Sequence, residues 1–132
     1  MRREVPGVSR TTLFTVDVRD VAAAHLAALT APEAAGRRFI AVEEVHRFLE
    51  MARILQRHLA PRGYRISTLE FPDWAVRLVA LGDRTVRLTL DELGKEYSFD
   101  TERIRGALGW RPRPLEESVV AMAEGMMRQG VA

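Results

Sequence analysis

Residues 14–29 read FTVDVRDVAAAHLAAL, and this stretch decides how the rest of the chain is interpreted. Apolar and polar side chains alternate up to Val18, which predicts a strand over residues 12–18 with one apolar face. The alanine-rich part predicts a helix over residues 21–30, with Leu29 and its neighbour Leu26 facing a sheet. The chain is therefore expected to pass directly from strand to helix.

Three charged residues lie at this corner, Asp17, Arg19 and Asp20. Asp20 is expected to cap the helix by accepting hydrogen bonds from its first backbone N–H groups. An ion pair with Arg19 is a better explanation of the two aspartates than acid/base catalysis, because a strand followed by a cap directs their carboxylates apart. We interpret all three residues as a structural junction.

Further elements alternate along the chain. The patterns predict strands over residues 37–42 and 64–69, a helix with an apolar stripe from Val45 to Leu59, and a helix over residues 72–81. Residues 83–98 fit a strand, a helix or a covering loop equally well.

The last part of the chain predicts two helices. Asp100 can cap a short helix that Gly109 ends, and a final helix spans about 114–128. The expected buried stripe of the final helix consists of Leu115, Val119, Met122, Ala123 and Met126. Trp110 is interpreted as an anchor that packs the turn between the two helices.

Composition limits the possible classes. A chain of 132 residues with 47% hydrophobic residues is long enough for one domain, which we place at residues 1–132. No apolar run is long enough for a bilayer and the N-terminus does not resemble a signal peptide, so a soluble cytoplasmic protein is expected. The absence of cysteine excludes disulfides, thiolate metal sites and a cysteine nucleophile.

The basic residues do not point to nucleic acid. The formal net charge is only +2, Lys95 is the only lysine, and the arginines are spread among acidic residues, as on a solvated surface. A nucleic-acid binder would show a one-sided basic stripe with interleaved aromatic residues. This alternative can be tested by salt-sensitive retention on heparin or DNA.

Nucleotide and catalytic motifs are missing from the sequence. No glycine-rich phosphate-binding turn occurs. Tyr64 and Tyr97 are followed four residues later by Thr68 and Thr101, not by the lysine that would lower a phenol pKa. We therefore assign no catalytic and no cofactor-binding residue.

The histidines do not form a metal-binding pattern. His25, His46 and His58 lack the spacings of zinc sites, and histidines satisfied by neighbouring polar groups are the more common case. No metal site is assigned.

Taken together, FTVDVRDVAAAHLAAL, GRRFI, FPDW and SFDTERIRGALGWRPRPLEESVVAMAEGM resemble the C-terminal portion of an extended short-chain dehydrogenase/reductase. The chain is most similar to the dihydroflavonol-reductase and aldehyde-reductase branch of the NAD-dependent epimerase/dehydratase family. The resemblance implies an α/β fold comprising the last strands of a Rossmann-type sheet and a small substrate-binding subdomain, incomplete relative to the full fold.

The resemblance also implies a function. The family's cofactor turn, catalytic Ser/Thr and Tyr-Lys pair lie in an N-terminal portion that this sequence does not contain. The chain is thus expected to be the substrate-binding fragment of an NAD(P)-dependent reductase of aldehydes or ketones, or of an epimerase/dehydratase, binding no cofactor and inactive alone. In the family, positions matching Asp17, Arg19 and Asp20 fix the junction beside the substrate pocket.

Pocket and partner expectations follow from the same resemblance. The segments that line the family's pocket correspond here to Val5, Pro6, Phe14, Phe71 and Trp74, for a carbonyl or sugar-like substrate. Strands that lose their neighbours would expose edges, so the isolated chain should self-associate, pair with a separate N-terminal half, or be marginally stable. The alternative from another class is a non-catalytic binding or assembly module that pairs with a separate chain.

Overall fold

A computed structural model describes residues 7–130 of the chain. The strands are β1 (Thr12–Thr15) and β2 (Glu44–Arg47). The helices are α1 (Val18–Thr30), α2 (Phe48–Leu59), α3 (Asp73–Gly82), α4 (Arg84–Leu88), α5 (Glu102–Leu108) and α6 (Leu115–Arg128). Short 3-10 turns lie at Pro32–Ala34, Ala60–Arg62 and Leu90–Glu92.

The two strands form an antiparallel pair in which Thr12 lies opposite Arg47 and Thr15 opposite Glu44. Two isolated bridges extend this pairing, one parallel between Val8 and Glu70 and one antiparallel between Thr11 and Leu93. The pair holds together segments that are far apart in sequence. It is the only named sheet within residues 7–130.

The corner differs from the expectation in its cap. The helix α1 begins at Val18, and Asp17 is its N-cap, accepting a hydrogen bond from the Arg19 backbone N–H at 2.8 Å. The prediction that Asp20 caps a helix starting at residue 21 is wrong. Asp20 lies in the first turn, where its carboxylate is directed into the protein.

The prediction that Leu26 and Leu29 of α1 face inward toward a sheet is also wrong. Leu26 and Leu29 are exposed, Leu29 by 82%, while Ala24 is buried. Ala24 packs with Ile104 and Trp110 because its small side chain lets α5 approach closely. The apolar leucines of α1 face away from the described part of the chain.

Neither of the strands predicted over residues 37–42 and 64–69 forms. A strand requires a partner strand, and within residues 7–130 the two segments find at most isolated backbone contacts, such as Val8 N–H to Leu69 O at 2.8 Å. Pairing starts instead at Glu44 on β2. For this reason α2 begins at Phe48, three residues later than the apolar stripe suggested.

Other helices agree with the sequence. The segment 72–81 forms α3, which starts one residue after Pro72, and the ambiguous segment 83–98 contains α4, which Asp83 caps by accepting from the Thr85 N–H at 2.8 Å. Asp100 accepts from the Glu102 N–H at 2.9 Å at the start of α5. Gly109 ends α5 with a left-handed backbone, φ 60°.

The core consists of two small clusters. One joins α1 and α5 through Ala24, Ile104 and Trp110, and the other joins α2 and α6 through Ile54, Leu115 and Val119. The stripe predicted for α6 is therefore right in part: Leu115, Val119 and Ala123 are buried, whereas Met122 and Met126 are nearly half exposed. In the described region, no helix combines the length and the apolar character needed to cross a bilayer.

Candidate functional site

The β1–α1 corner is tied to the C-terminal part of the chain by Asp20. Its side chain is buried and accepts hydrogen bonds from the Arg113 backbone N–H at 2.7 Å and from the Arg113 guanidinium. The indole N–H of buried Trp110 donates to the Asp20 carbonyl at 2.9 Å. These contacts bridge about 90 residues of sequence and explain why the turn before α6 packs on α1.

Asp17 and Arg19 form a second ion pair at the corner, in which the Arg19 side chain is 45% exposed and the Asp17 side chain only 7%. Arg19 donates to both carboxylate oxygens of Asp17, at 2.9 and 2.6 Å, and this pairing holds the pKa of Asp17 far below its usual range. Glu117 contacts Arg113 at 3.0 Å and Arg19 at 3.5 Å. Because each charge has a partner, this geometry favours an ion-pair network over acid/base catalysis.

A cavity of about 550 Å³ lies beside this corner, between the start of α1 and the helices α2 and α6. Its lining is mostly apolar and includes the charged residues Asp17, Arg19 and Arg128. The residues that line it include Val16, Val18, Met51, Leu115, Met122 and Arg128.

An aromatic cluster surrounds Phe14, one of the predicted pocket residues. The ring of Phe14 meets Tyr97 edge-on at a centroid distance of 5.7 Å and Phe99 at 5.2 Å. The Tyr97 hydroxyl donates to Glu92 at 2.5 Å, and this hydrogen bond raises the pKa of Tyr97. A phenol with a raised pKa is a poor proton donor, so the cluster is better suited to shape a surface than to catalyse.

A cleft of about 560 Å³ adjoins the aromatic cluster. One wall comes from residues 42–45 and the other from residues 97–101 with Arg105. The lining combines carboxylates, an arginine and aromatic rings, which are groups that orient a polar ligand.

His46, on β2, lies between two carboxylates. Its Nε2 is 2.7 Å from Glu43 and its Nδ1 is 3.3 Å from Glu50. Burial lowers the pKa of His46, but the two carboxylates outweigh burial and raise it overall. Glu43, Glu44 and His46 could bring one ligand atom each to a cation, but both ring nitrogens of His46 already lie against the carboxylates of Glu43 and Glu50.

The predicted pocket residues lie in different surroundings. Phe71 is partly buried against Gly7, where an added Cβ would come within 2.6 Å of the ring, and the Phe71 N–H donates to Val8 at 2.9 Å. Trp74 lies in the first turn of α3 and is 66% exposed. Phe14 contacts a separate aromatic set, and the predicted pocket residues Val5 and Pro6 lie outside the described residues.

Sequence reasoning did not find two of the groups at these sites. Arg113 holds Asp20 across 93 positions, and no periodicity in a single sequence indicates such a pair. Tyr97 was considered only as a catalytic phenol, although the pattern YSF places Tyr97 and Phe99 two residues apart, which was a signal for a shared face. Trp110 was correctly interpreted as an anchor.

Comparison with solved structures identifies the fold. The chain is similar to the crystal structure of gox2253, with a TM-score of 0.72 and 22% identity over 96% of the chain. It is also similar to yeast methylglyoxal/isovaleraldehyde reductase Gre2 complexed with NADPH, with a TM-score of 0.66 and 20% identity over 92% of the chain. A third match is the terminal R domain of the myxalamid PKS-NRPS pathway, with a TM-score of 0.65 and 16% identity over 99% of the chain.

The match covers only part of each of these structures. The chain spans 41% of gox2253, 35% of Gre2 and 36% of the R domain. No protein-family model matches the sequence, and no curated protein matches it. The comparison confirms the expected fold, an α/β chain that corresponds to part of the Rossmann-type structures it matches.

Proposed function

From the fold of the C-terminal portion of an extended short-chain dehydrogenase/reductase, we propose that the chain supplies the substrate-binding part of an NAD(P)-dependent reductase that acts on aldehydes or ketones. The observation that carries the proposal is the overlap of nearly the whole chain with about a third of Gre2, a reductase complexed with NADPH. Because the sequence has no glycine-rich phosphate-binding turn, the proposal gives this portion the substrate side of the site and not the dinucleotide.

The remaining groups must come from elsewhere. The sequence has neither a glycine-rich turn nor a tyrosine with a lysine four residues on, so it cannot hold a pyrophosphate or deliver a proton in the way such reductases do. Further residues of the same polypeptide or a separate chain would supply the nucleotide-binding portion. Residues 1–132 alone are then one substrate-binding domain without catalytic activity.

The exposed apolar surface of α1 supports a missing covering portion. Exposed apolar residues at the start and along α1, Val18, Leu26 and Leu29, are placed to be covered by such a portion.

In this proposal Phe14, Phe71 and Trp74, which lie in different surroundings within the described chain, would each contribute apolar surface toward a carbonyl substrate. The Asp17–Arg19–Asp20 corner would fix the strand and helix beside them. Trp74 is exposed in the described chain, as expected for a wall whose opposite side belongs to the nucleotide-binding portion.

Calorimetric titration of the purified chain with NADPH and with NADH tests the proposal. We expect no detectable binding, because the phosphate-binding turn is absent. Saturable binding of either nucleotide would contradict the assignment, since it would require a nucleotide site within residues 1–132.

A gain-of-activity experiment complements this titration. The chain is produced together with the coding sequence that flanks it in its gene, and NADPH oxidation is followed with small aldehydes. If Trp74→Ala raises the KM for the aldehyde and leaves kcat largely unchanged, the result would support the pocket assignment. A protein that co-purifies with a partner but never with a nucleotide would instead favour the assembly module.

A further inference from the structure

His46 is a buried histidine that joins two neighbouring elements through its side chain. Its Nε2 lies 2.7 Å from Glu43, which directly precedes β2, and its Nδ1 lies 3.3 Å from Glu50, in the first turn of α2. All three residues belong to the described chain, so these contacts need no further portion of the protein.

Both contacts exist together only when the imidazole of His46 is charged. A charged imidazole donates from both ring nitrogens, whereas a neutral one has a single N–H and a lone pair on the other nitrogen. An ionised carboxylate has no proton to donate to that lone pair. The loss of one proton from His46 must therefore break one of its two carboxylate contacts.

The groups around His46 determine how readily it is charged. Glu44 brings a third carboxylate oxygen within 4.8 Å of the Glu43 and His46 ligand atoms. The paired strand β1 carries no titratable side chain, and Arg105 of α5 lines the cleft that also contains Glu43 and Glu44. Burial lowers the pKa of His46, but Glu43 and then Glu50 outweigh burial and raise this pKa overall.

The two carboxylate contacts of His46 are unequal. The contact with Glu43 is the shorter one, and the Glu43 side chain is only 16% exposed, whereas the Glu50 side chain is 56% exposed. A carboxylate that loses its donor in a buried place loses more than one that can turn to water. The proton that stays on a neutral His46 is therefore expected on Nε2, and the proton that leaves is the one on Nδ1.

We propose that His46 is a pH-sensitive switch that holds both Glu43 and Glu50 when charged, and that keeps Glu43 but releases Glu50 when neutral. Glu43 belongs to the wall of the cleft formed by residues 42–45, where Val45 lies opposite Phe14 of β1. Within residues 7–130, no side chain caps α2, so the release of Glu50 removes a side-chain tie from its first turn. The inference does not rest on the proposed reductase function, because it concerns protons on groups of this chain.

Nitrogen-15 spectra of the chain labelled at histidine test where the remaining proton lies. At a pH above the titration of His46, we expect the proton of this residue on Nε2. His25 is the internal control, because its Nδ1 lies 2.8 Å from the carbonyl oxygen of Val21, which only accepts, so the proton of neutral His25 should be on Nδ1. A proton on Nδ1 of neutral His46 would overturn the proposal.

Glu43→Gln and Glu50→Gln are matched variants, since each replaces one carboxylate beside His46 by an amide of the same shape. Glu43→Gln should lower the pKa of His46 more than Glu50→Gln does, and it should move the remaining proton to Nδ1, because Glu50 is then the better acceptor. Glu50→Gln should leave this proton on Nε2. Equal decreases in the pKa, or a proton that stays on Nε2 in Glu43→Gln, would contradict the unequal contacts.

Nuclear relaxation of the glutamate side chains measures the release itself. As the pH rises through the pKa of His46, the order parameter of the Glu50 side chain should fall, whereas that of Glu43 should stay nearly constant. In His46→Gln the Glu50 order parameter should not change over the same pH range. If His46→Gln does not fold, Glu43→Gln and Glu50→Gln still decide the question, because both keep the histidine. A Glu50 side chain that is equally ordered on both sides of the titration would refute the switch.

Discussion

The β1–α1 corner and the α3–α4 segment contrast most clearly in this molecule. The corner has few residues, but Asp20 and Trp110 are buried and joined by hydrogen bonds that span the chain. The α3–α4 segment buries Val76 and Ala80 and leaves large apolar side chains exposed, Trp74, Leu78, Val79, Leu81 and Leu88. Buried polar contacts thus specify one region, whereas the other has apolar surface that the described chain does not use.

Among the substitutions that test this contrast, Asp20→Ala should lower the free energy of unfolding the most. It leaves the Arg113 backbone N–H and guanidinium without their acceptor in a partly buried site, and we expect a loss of about 3 kcal/mol in the free energy of unfolding. Urea denaturation measures it. Asp100→Ala is the control, because it removes an exposed helix-start contact worth about 1 kcal/mol. Equal losses in both variants would show that the buried contacts of Asp20 stabilise the protein no more than an exposed helix cap does.

Trp110→Phe should have the next largest effect. It removes the hydrogen bond to the Asp20 carbonyl and part of a buried ring, for an expected loss of about 1.5 kcal/mol. The same substitution at exposed Trp74 should change the free energy of unfolding by less than about 0.5 kcal/mol. A larger loss at Trp74 than at Trp110 would reverse the comparison.

His46, on the adjoining strand β2, should make the stability of the protein depend on pH. Its folded pKa is raised above the ordinary value of 6.5, so its contribution is complete below that pH and disappears as the pH rises through the folded pKa. The melting temperature measured from pH 5.5 to 8.5 should therefore decrease as the pH rises, and this decrease should be absent in His46→Gln. Parallel curves for the two proteins would show that the Glu43 and Glu50 contacts do not stabilise the fold.

The smallest effect should be found on α3. Leu78→Gln and Leu81→Gln replace exposed side chains, so each should leave the free energy of unfolding within about 0.5 kcal/mol. Both should reduce binding of a hydrophobic dye, measured by fluorescence. A loss above about 1 kcal/mol would show that these leucines are buried in solution and that the region is better packed than the contrast implies.

Elements with a strong local pattern could be predicted from sequence. The helices α2, α3, α5 and α6 follow from apolar periodicity and from turn residues such as Gly109, because both signals act within a few residues. The family resemblance rested on VDVRDVA and LGWRPRPLEES, and the fold it implied is confirmed. The exchange of roles between Asp17 and Asp20 was not predictable, since either aspartate can cap a helix and only the packing of α1 decides which one does.

The sequence by itself determined the helices α2, α3, α5 and α6, the absence of a nucleotide-binding turn and the absence of cysteine chemistry, because these depend on local pattern and composition. The tertiary structure alone decided which carboxylate is buried, which strands find partners and which apolar faces stay exposed. Asp20 meets Arg113 across 93 positions, and residues 38–42 remain unpaired because no strand of the described chain reaches them. Such outcomes depend on long-range contacts, which a single sequence does not record.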